Sequence, residues 1–513
     1  MKCGEKKRMS VPEKYLRKIL TAQIYDVAME TPLVEAESLS ARLHNRILLK
    51  REDLQSVFSF KLRGAYNKMA NLSADTLKKG VVAASAGNHA QGVALAARKL
   101  GIKATIFMPE TTPGIKVDAV RGYGATARLI GDSYDDAYQA AATYCNKQGA
   151  VFIHPYDDPD IIAGQGTIGF EILKQHKSLP DMIFVPVGGG GLIAGIAVYV
   201  KMLCPNIKVI GVEPDDADAM KQSLEAGRRV RLKEVGLFAD GVAVKQVGKE
   251  TFKLTRQFVD EVITVSTDQI CAAIKDIFED TRSISEPAGA LAVAGIKKYV
   301  AENNISGLDL VAVASGANMN FDRLRHVAER AEIGERREGI IAVTIPEEPG
   351  SFRKFCAILG KRGITEFNYR YNTADKAHVF VGLQVHDPQG LSELLKKLHD
   401  RGYAAIDMTD NEMAKVHMRH LVGGHAVKAD NERVFRFRFP ERPGALLDFL
   451  GKMGRNWNIS LFHYRNHGAD YGRVLVGMQV PPAEKTAFQD FLKELGYTFV
   501  EETDNPAYKL FLE

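Results

Sequence analysis

The sequence predicts an α/β protein: a large body of open, mostly parallel sheets covered by helices, then two copies of a smaller ferredoxin-like module. Three observations carry this. From about residue 28 to 330, short β-branched runs alternate with longer amphipathic segments, and strand–helix–strand alternation implies right-handed crossovers into a parallel sheet. Near residue 335 that alternation stops. Beyond it one pattern occurs twice, 94 or 95 residues apart, which marks an internal duplication. A length of 513 residues exceeds what one core usually holds, so roughly two to four domains are expected.

In chain order, strands are expected at Ile47–Lys50, Val81–Ala84, Ala104–Met108, Ala127–Ile130, Met182–Val187, Lys208–Val212, Val262–Val265 and Leu310–Ala314. Gln91–Leu100, Tyr134–Asn146, Asp268–Thr281 and Ala288–Tyr299 read as covering helices. Open parallel sheets bind ligands beyond the carboxyl ends of their strands. The residues that follow each strand are therefore the ones to weigh for chemistry.

Ser59-Phe60-Lys61-Leu62-Arg63-Gly64 is centred on a lysine. An apolar setting disfavours the ammonium form and frees the amine as a nucleophile. Phe58, Phe60 and Leu62 are close enough in sequence to supply that setting, and a helical run Phe60–Met69 to hold it. After Val81–Ala84 comes Ser85-Ala86-Gly87-Asn88-His89. Its small residues let backbone N–H groups approach a carboxylate, a helix starting near Asn88 adds its positive end, and Asn88 could bond a phenolate-like oxygen. After Met182–Val187 come Gly188, Gly189, Gly190 and Gly191, then Leu192. Four residues without a Cβ let several N–H groups converge on a phosphate, with the helix Leu192–Lys201 pointing its N-terminus there. The same stretch fits G-x-G-x-x-A with Glu213 about twenty residues on, the dinucleotide pattern, so a nicotinamide-dependent dehydrogenase is the rival reading. After Leu310–Ala314, Ser315 can make a neutral hydrogen bond.

Composition excludes several classes. The apolar fraction of 45% and charged fraction of 26% are those of a globular protein. A formal charge of +5, with no basic tract of note, argues against a nucleic-acid partner. The first twenty residues lack an apolar signal core and no eighteen-residue apolar stretch occurs, so neither a secretion signal nor a membrane span is expected. Cys3, Cys145, Cys204, Cys271 and Cys356 are widely spaced without a C-x-x-C pair. They read as reduced thiols of a cytoplasmic protein, not a disulfide frame or a zinc site.

Taken together, S-F-K-L-R-G (59–64), S-A-G-N-H (85–89), G-G-G-G-L (188–192) and S-G-A-N (315–318) resemble the fold-type II pyridoxal-phosphate enzymes, the tryptophan synthase β-like group. Thr31-Pro32-Leu33, Lys50-Arg51-Glu52-Asp53, Gly164-Gln165-Gly166-Thr167 and Ser285-Glu286-Pro287-Ala288-Gly289-Ala290 agree, and narrow the resemblance to the threonine dehydratase family. The resemblance implies pyridoxal 5'-phosphate as cofactor. Lys61 would carry its Schiff base, Asn88 would bond its ring hydroxyl oxygen, Gly188 to Gly191 with Leu192 would cradle its phosphate, and Ser315 would face its pyridine nitrogen. Ser85, with Gly87, Asn88 and His89, would hold the substrate carboxylate. The reaction implied is deamination of L-threonine to 2-oxobutanoate and ammonia, with a catabolic-type serine/threonine dehydratase as the alternative. Serine racemases are similar over this region but carry a second serine where this chain has Ala86, which has no proton to give; elimination is therefore expected. Those relatives also bind a divalent cation around the position of Glu213. Ala219 falls where one of their acids is expected, and no metal ligand is assigned.

In the last third, Ile345-Pro346-Glu347-Glu348-Pro349-Gly350 recurs as Phe439-Pro440-Glu441-Arg442-Pro443-Gly444, Val381-Gly382-Leu383-Gln384-Val385 as Val476-Gly477-Met478-Gln479-Val480, and Thr409-Asp410-Asn411 as Thr503-Asp504-Asn505. Each copy reads strand–helix–strand–strand–helix–strand, with a Pro-Gly turn opening the first helix. His417–Asn431, with Gly423-Gly424, reads as a linker. The copies resemble the ACT-like amino-acid-sensing domains of the same family. Expected domains are thus 1–335, 339–411 and 433–505. The resemblance further implies isoleucine as inhibitor, valine as activator, a role at the start of isoleucine synthesis, and a homotetramer.

Overall fold

The structure is a computed structural model. It describes residues 10–346, 351–360, 362–370, 376–385, 388–418, 430–440, 457–465 and 471–512. The turns expected at Pro349-Gly350 and Pro443-Gly444, and Gly423-Gly424 of the expected linker, lie outside those residues. The chain divides into two compact units, Met1–Val327 and Ala328–Glu513.

The first unit holds two sheets. Strands β1 (Leu33–Glu35), β2 (Arg46–Arg51), β3 (Val81–Ala84), β4 (Ala104–Met108), β5 (Thr126–Leu129), β6 (Val151–Phe152), β7 (Met182–Pro186), β8 (Lys208–Pro214), β9 (Glu261–Val265) and β10 (Asp309–Ala314) follow in sequence. Six form a sheet ordered β1-β2-β10-β7-β8-β9, and four a smaller sheet ordered β5-β4-β3-β6. Every pairing is parallel except the edge pair β1–β2. The parallel pattern follows from the crossover helices. Ile183, Val185, Val209 and Val311 of the larger sheet pack against Ile193 and Ile196 of the helix Gly191–Leu203. Val81, Ala83 and Ile106 pack against Val93 and Ala94 of the helix Asn88–Leu100. The eight expected strands are all present within about two residues of their predicted ends. The sequence reading misses β1 and β6, which at three and two residues are too short to show a period.

The second unit contains the duplicated modules. Strands β11 (Glu338–Pro346), β12 (Ile364–Arg370), β13 (Lys376–Gln384) and β14 (Ala404–Asp407) form an antiparallel sheet ordered β12-β13-β11-β14. Strands β15 (Glu432–Pro440), β16 (Asn458–Arg465), β17 (Tyr471–Gln479) and β18 (Thr498–Glu501) repeat it as β16-β17-β15-β18. Helices Ser351–Leu359 and Pro388–His399 complete the ferredoxin-like order of the first copy. Helix Lys485–Leu495 supplies the corresponding later helix of the second. There Trp457 packs between Phe488 and Phe491, with ring centroids 5.0 Å away in each case, and donates its indole N–H to Glu484 at 3.0 Å. Each module also carries a short helix beyond its last strand, Glu412–Val416 and Pro506–Phe511, capped by Asn411 and Asn505. These two asparagines occupy the same place in the repeat and hydrogen-bond to one another at 3.2 Å. Met413, Ala414, Ala507 and Tyr508 join Phe380 and Leu475 in one buried cluster shared by both copies.

Candidate active site

Lys61 is the first residue of the helix Lys61–Ala70. Its backbone is pinned to the loop after β10. Phe60 N donates to Ser315 O at 3.2 Å, Ala317 N to Phe58 O at 2.8 Å, and Ser59 pairs with Gly316 as an isolated bridge. The Lys61 ammonium lies 5.1 Å from the Phe60 ring centre and 3.3 Å from the Pro155 carbonyl. Burial brings its pKa down to about 8, against the opposing pull of Glu286. Phe60 and Leu62 are buried, as expected, but Phe58 is 55% exposed. Phe58 instead adopts a left-handed backbone (φ 54°), and what it gives the site is its carbonyl.

Gly188 to Gly191 and Leu192 line the same cavity as Lys61, Asn88 and Ser315. The glycines are also demanded by their close neighbours. A Cβ on Gly188 would meet Val242 Cα at 2.9 Å, on Gly189 the Tyr156 ring at 2.2 Å, and on Gly191 Gln165 Oε1 at 2.6 Å. Gly190 has φ +91° and caps the helix Gly191–Leu203 without a side chain. The first-turn N–H groups of that helix therefore have no side-chain cap and face the need for an acceptor.

Asn88 opens the helix Asn88–Leu100 and is held at both ends of its amide. Its Nδ2 donates to Glu286 Oε1 at 2.6 Å and its Oδ1 accepts from Asn318 at 2.7 Å. One amide hydrogen remains for a ligand. Glu286 precedes the helix Pro287–Asn303, yet its side chain makes no cap hydrogen bond there. Burial and the nearby charge of Asp240 lift its carboxyl to about 7, while Asn88, Lys116 and Arg323 hold it down. Ser315 is buried, with Oγ 3.3 Å from the Ala288 carbonyl.

Of the expected carboxylate loop, only Asn88 lines the cavity. Ser85 Oγ accepts from Gly87 N at 3.3 Å, and the space beside Gly87 is open, with no atom within 4 Å of an added Cβ. His89 is buried with Nε2 2.8 Å from the Ile153 carbonyl. Burial and the Lys61 charge bring its pKa to about 3. Its Nε2 is committed to the segment just after β6.

The dinucleotide alternative fails on Glu213. Both carboxylate oxygens of this buried residue accept backbone N–H groups, from Met220 at 2.8 Å and Lys221 at 2.9 Å. Burial lifts its pKa to about 8 while those two hydrogen bonds oppose the rise. It serves the first turn of the helix Ala219–Glu225 that follows its strand, not a ribose. Among the described residues no group of three His, Cys, Asp or Glu is arranged to hold a metal ion.

Arg63 of the Lys61 helix belongs to a buried charge cluster, of which the sequence reading quoted Lys50, Glu52 and Arg63 only as motif letters and Glu171 not at all. Arg63 pairs with Glu52 at 2.7 Å and Glu171 at 2.6 Å, and Lys50 with Glu171 at 2.6 Å. Thr31, Thr167 and Tyr25 satisfy the remaining valences. Sequence reasoning also gave no role to Glu286, Tyr156 or Asp240, because their partners are far away in the chain. The available signal for Glu286 was a carboxylate at a helix start in a stretch otherwise of small residues.

A pyridoxal phosphate needs an amine of lowered pKa, an anion cradle and a polar group for its ring nitrogen. Lys61, the glycine loop with its uncapped helix, and Ser315 meet those needs around one cavity.

Comparison with known proteins agrees. Residues 24–316 match the family model of pyridoxal-phosphate dependent enzymes. Residues 329–418 and 423–512 each match the C-terminal regulatory domain of threonine dehydratase. A biosynthetic L-threonine dehydratase of Burkholderia multivorans is 58% identical over 501 residues, 97% of this chain and 99% of that protein. The Escherichia coli counterpart is 54% identical over 97% of each chain. Among solved structures, the processed form of threonine deaminase isoform 2 from Solanum lycopersicum aligns with a TM-score of 0.61 at 52% identity, covering 62% of this chain and 93% of that one. Maize serine racemase aligns with a TM-score of 0.57 at 33% identity, covering 61% and 96%. No helix among the described residues is long and apolar enough to cross a membrane.

Proposed function

The chain belongs to the biosynthetic threonine dehydratases, pyridoxal-phosphate-dependent lyases, and on that footing we propose how its residues divide the work. The reaction is deamination of L-threonine to 2-oxobutanoate and ammonia: the β-hydroxyl leaves as water, and a water is taken up again when the resulting imine is hydrolysed. Lys61 would hold the cofactor covalently, Gly188 to Gly191 with Leu192 its phosphate, Asn88 its ring hydroxyl oxygen and Ser315 its ring nitrogen. When bound, the cofactor supplies an electron sink for the charge left as the substrate loses its Cα proton.

The remaining chemistry falls to the chain. Lys61 Nζ, freed when substrate takes its place, removes the Cα proton; a pKa near 8 leaves a useful fraction of the amine unprotonated at neutral pH. Ser85 and the backbone N–H groups of Gly87, Asn88 and His89 orient the substrate carboxylate. Glu286 and Asn318 fix the Asn88 amide so that its free hydrogen points one way. Ala86 presents no proton to the opposite face of Cα, which leaves elimination as the outcome and not racemisation.

What supports this reading is the meeting of Lys61 and the four glycines at one cavity, in a chain similar over nearly its whole length to biosynthetic dehydratases. The catalytic part would span residues 1–335 and the regulatory modules 339–411 and 433–505, with isoleucine inhibiting and valine relieving. A cytoplasmic homotetramer completes the reading. The test is the purified protein with L-threonine: a visible imine band and stoichiometric 2-oxobutanoate are expected. A colourless protein that forms no keto acid after cofactor is added would overturn it.

A further inference from the structure

The turn Asp240–Val242 forms one wall of the cavity. A Cβ on Gly241 would stand 3.5 Å from Glu286 Oε1 and 3.7 Å from Asn88 Nδ2, and a Cβ on Gly188 would meet Val242 Cα at 2.9 Å. The wall therefore touches both the Asn88–Glu286 pair and the first glycine of the loop. Two cations hold it there. Asp240 pairs with Lys116 at 2.5 Å and with Arg323 at 3.2 Å. Arg323 also donates to the Phe238 carbonyl at 3.0 Å, and His326 stacks edge-on against Phe238, 5.3 Å between centroids.

The two cations have different histories in the chain. Lys116 belongs to the helix Gly114–Gly122 beside the small sheet. Arg323 is the first residue of the helix Arg323–Gly334, within which the chain passes from the first unit to the second. The later turns of that helix are fastened to the first regulatory module. Arg330 makes a two-pronged pair with Glu412, at 3.1 and 2.8 Å, and Ile333 sits in the cluster shared by the two modules; just past the end of the helix, Arg336 pairs with Asp410 at 3.2 Å. One helix thus holds the cavity wall at its head and the sensing module at its foot. An effector can shift an equilibrium only through a difference in affinity between two states, and a helix with an ion-pair anchor at each end is an element that can have two such states.

We propose that Arg323 is the residue through which the effector state of the regulatory modules reaches the active site, by holding or releasing Asp240 and with it the Asp240–Val242 wall. This rests on the reading of isoleucine as effector given above. Isoleucine favours the released state, in which Lys116 alone holds Asp240 and the wall no longer presses Asn88 and Gly188 into place. Threonine favours the held state. Arg323 acts through Asp240 and touches no substrate, so it is a positioning residue.

The experiment uses the full-length holoenzyme and measures threonine saturation with and without isoleucine, together with binding of labelled isoleucine by equilibrium dialysis. In the unaltered protein isoleucine raises half-saturating threonine by a factor on the order of 5 to 150. Arg323→Gln is expected to start near that raised value without isoleucine, to move by less than about twofold when isoleucine is added, and to bind isoleucine still, with kcat within about threefold. Arg323→Lys restores most of the response. Arg330→Gln, which removes the two-pronged pair with Glu412 and leaves the head in place, is expected to shift the basal state the opposite way: lower half-saturating threonine, and a reduced response. An Arg323→Gln protein with unaltered half-saturation and a full isoleucine response overturns the proposal. If that variant does not fold, a full response in Arg330→Gln overturns it equally. If the unaltered protein neither binds isoleucine nor responds to it, the effector reading itself fails, and the binding arm distinguishes that case.

Discussion

Glu286 stands at a helix start, where a carboxylate ordinarily faces the first-turn N–H groups, yet it turns to Asn88 across 198 residues of chain. A carboxyl raised to about 7 from an ordinary 4.5 is protonated in the folded protein over a range where the unfolded chain has already lost the proton. Folded protein then binds more protons than unfolded, so stability falls as pH rises from about 4.5 to about 7. Glu286→Gln is expected to flatten that part of the profile. Urea midpoints of the two proteins near pH 5 and pH 8 check this, and an equal pH dependence in both would show that Glu286 is ionised throughout. Lys61→Ala is expected to abolish 2-oxobutanoate formation with an unchanged far-UV spectrum; retention of near-normal turnover would remove the lysine from the chemistry. Lys61, Asn88 and Ser315 were visible in the sequence because each lies in a short recognisable stretch at or near a strand end. Glu286 appeared only as a letter in a recognisable stretch and Asp240 not at all, since the local sequence does not tell which partner reaches a carboxylate from another element.

The Lys61 helix shows the same division at the level of an element. Its existence and extent follow from local pattern, with predicted Phe60–Met69 against observed Lys61–Ala70. What holds it in place does not. Arg63 is wholly buried between Glu52 and Glu171, and a buried cation of this kind is paired because its desolvation would otherwise be prohibitive. Arg63→Met leaves Glu52 and Glu171 with only Lys50 to balance them. The expected loss is on the order of 3–5 kcal/mol, read as an earlier urea transition, and the loss should persist in high salt because the pair is shielded from solvent ions. The glycine loop was legible for the opposite reason. Four consecutive glycines announce close approach, although the sequence could not say that Tyr156, Val242 and Gln165 are the neighbours that approach.

For the molecule as a whole, the duplication was readable as an interval, and the order of strands in each copy followed from it. The pairing of the copies was not, because the short helices that carry Met413 and Tyr508 show no period of their own. A chain ending at residue 335 retains every residue named in the chemistry. It is expected to deaminate threonine with hyperbolic kinetics and to ignore isoleucine. A saturation curve with and without isoleucine decides this, and an undiminished response would move the effector site into the first unit.

Trp457 is the only tryptophan in the chain, and it is enclosed by Phe488 and Phe491. Light absorbed at the red edge of the protein spectrum is therefore re-emitted from a single address. In a denaturant titration, a shift of that emission to longer wavelength dates the opening of the second module alone, while far-UV ellipticity averages over the chain. If the two curves separate, this module has melted apart from the rest; if they coincide, its folding is tied to the larger structure. The protein needs no attached dye to show which.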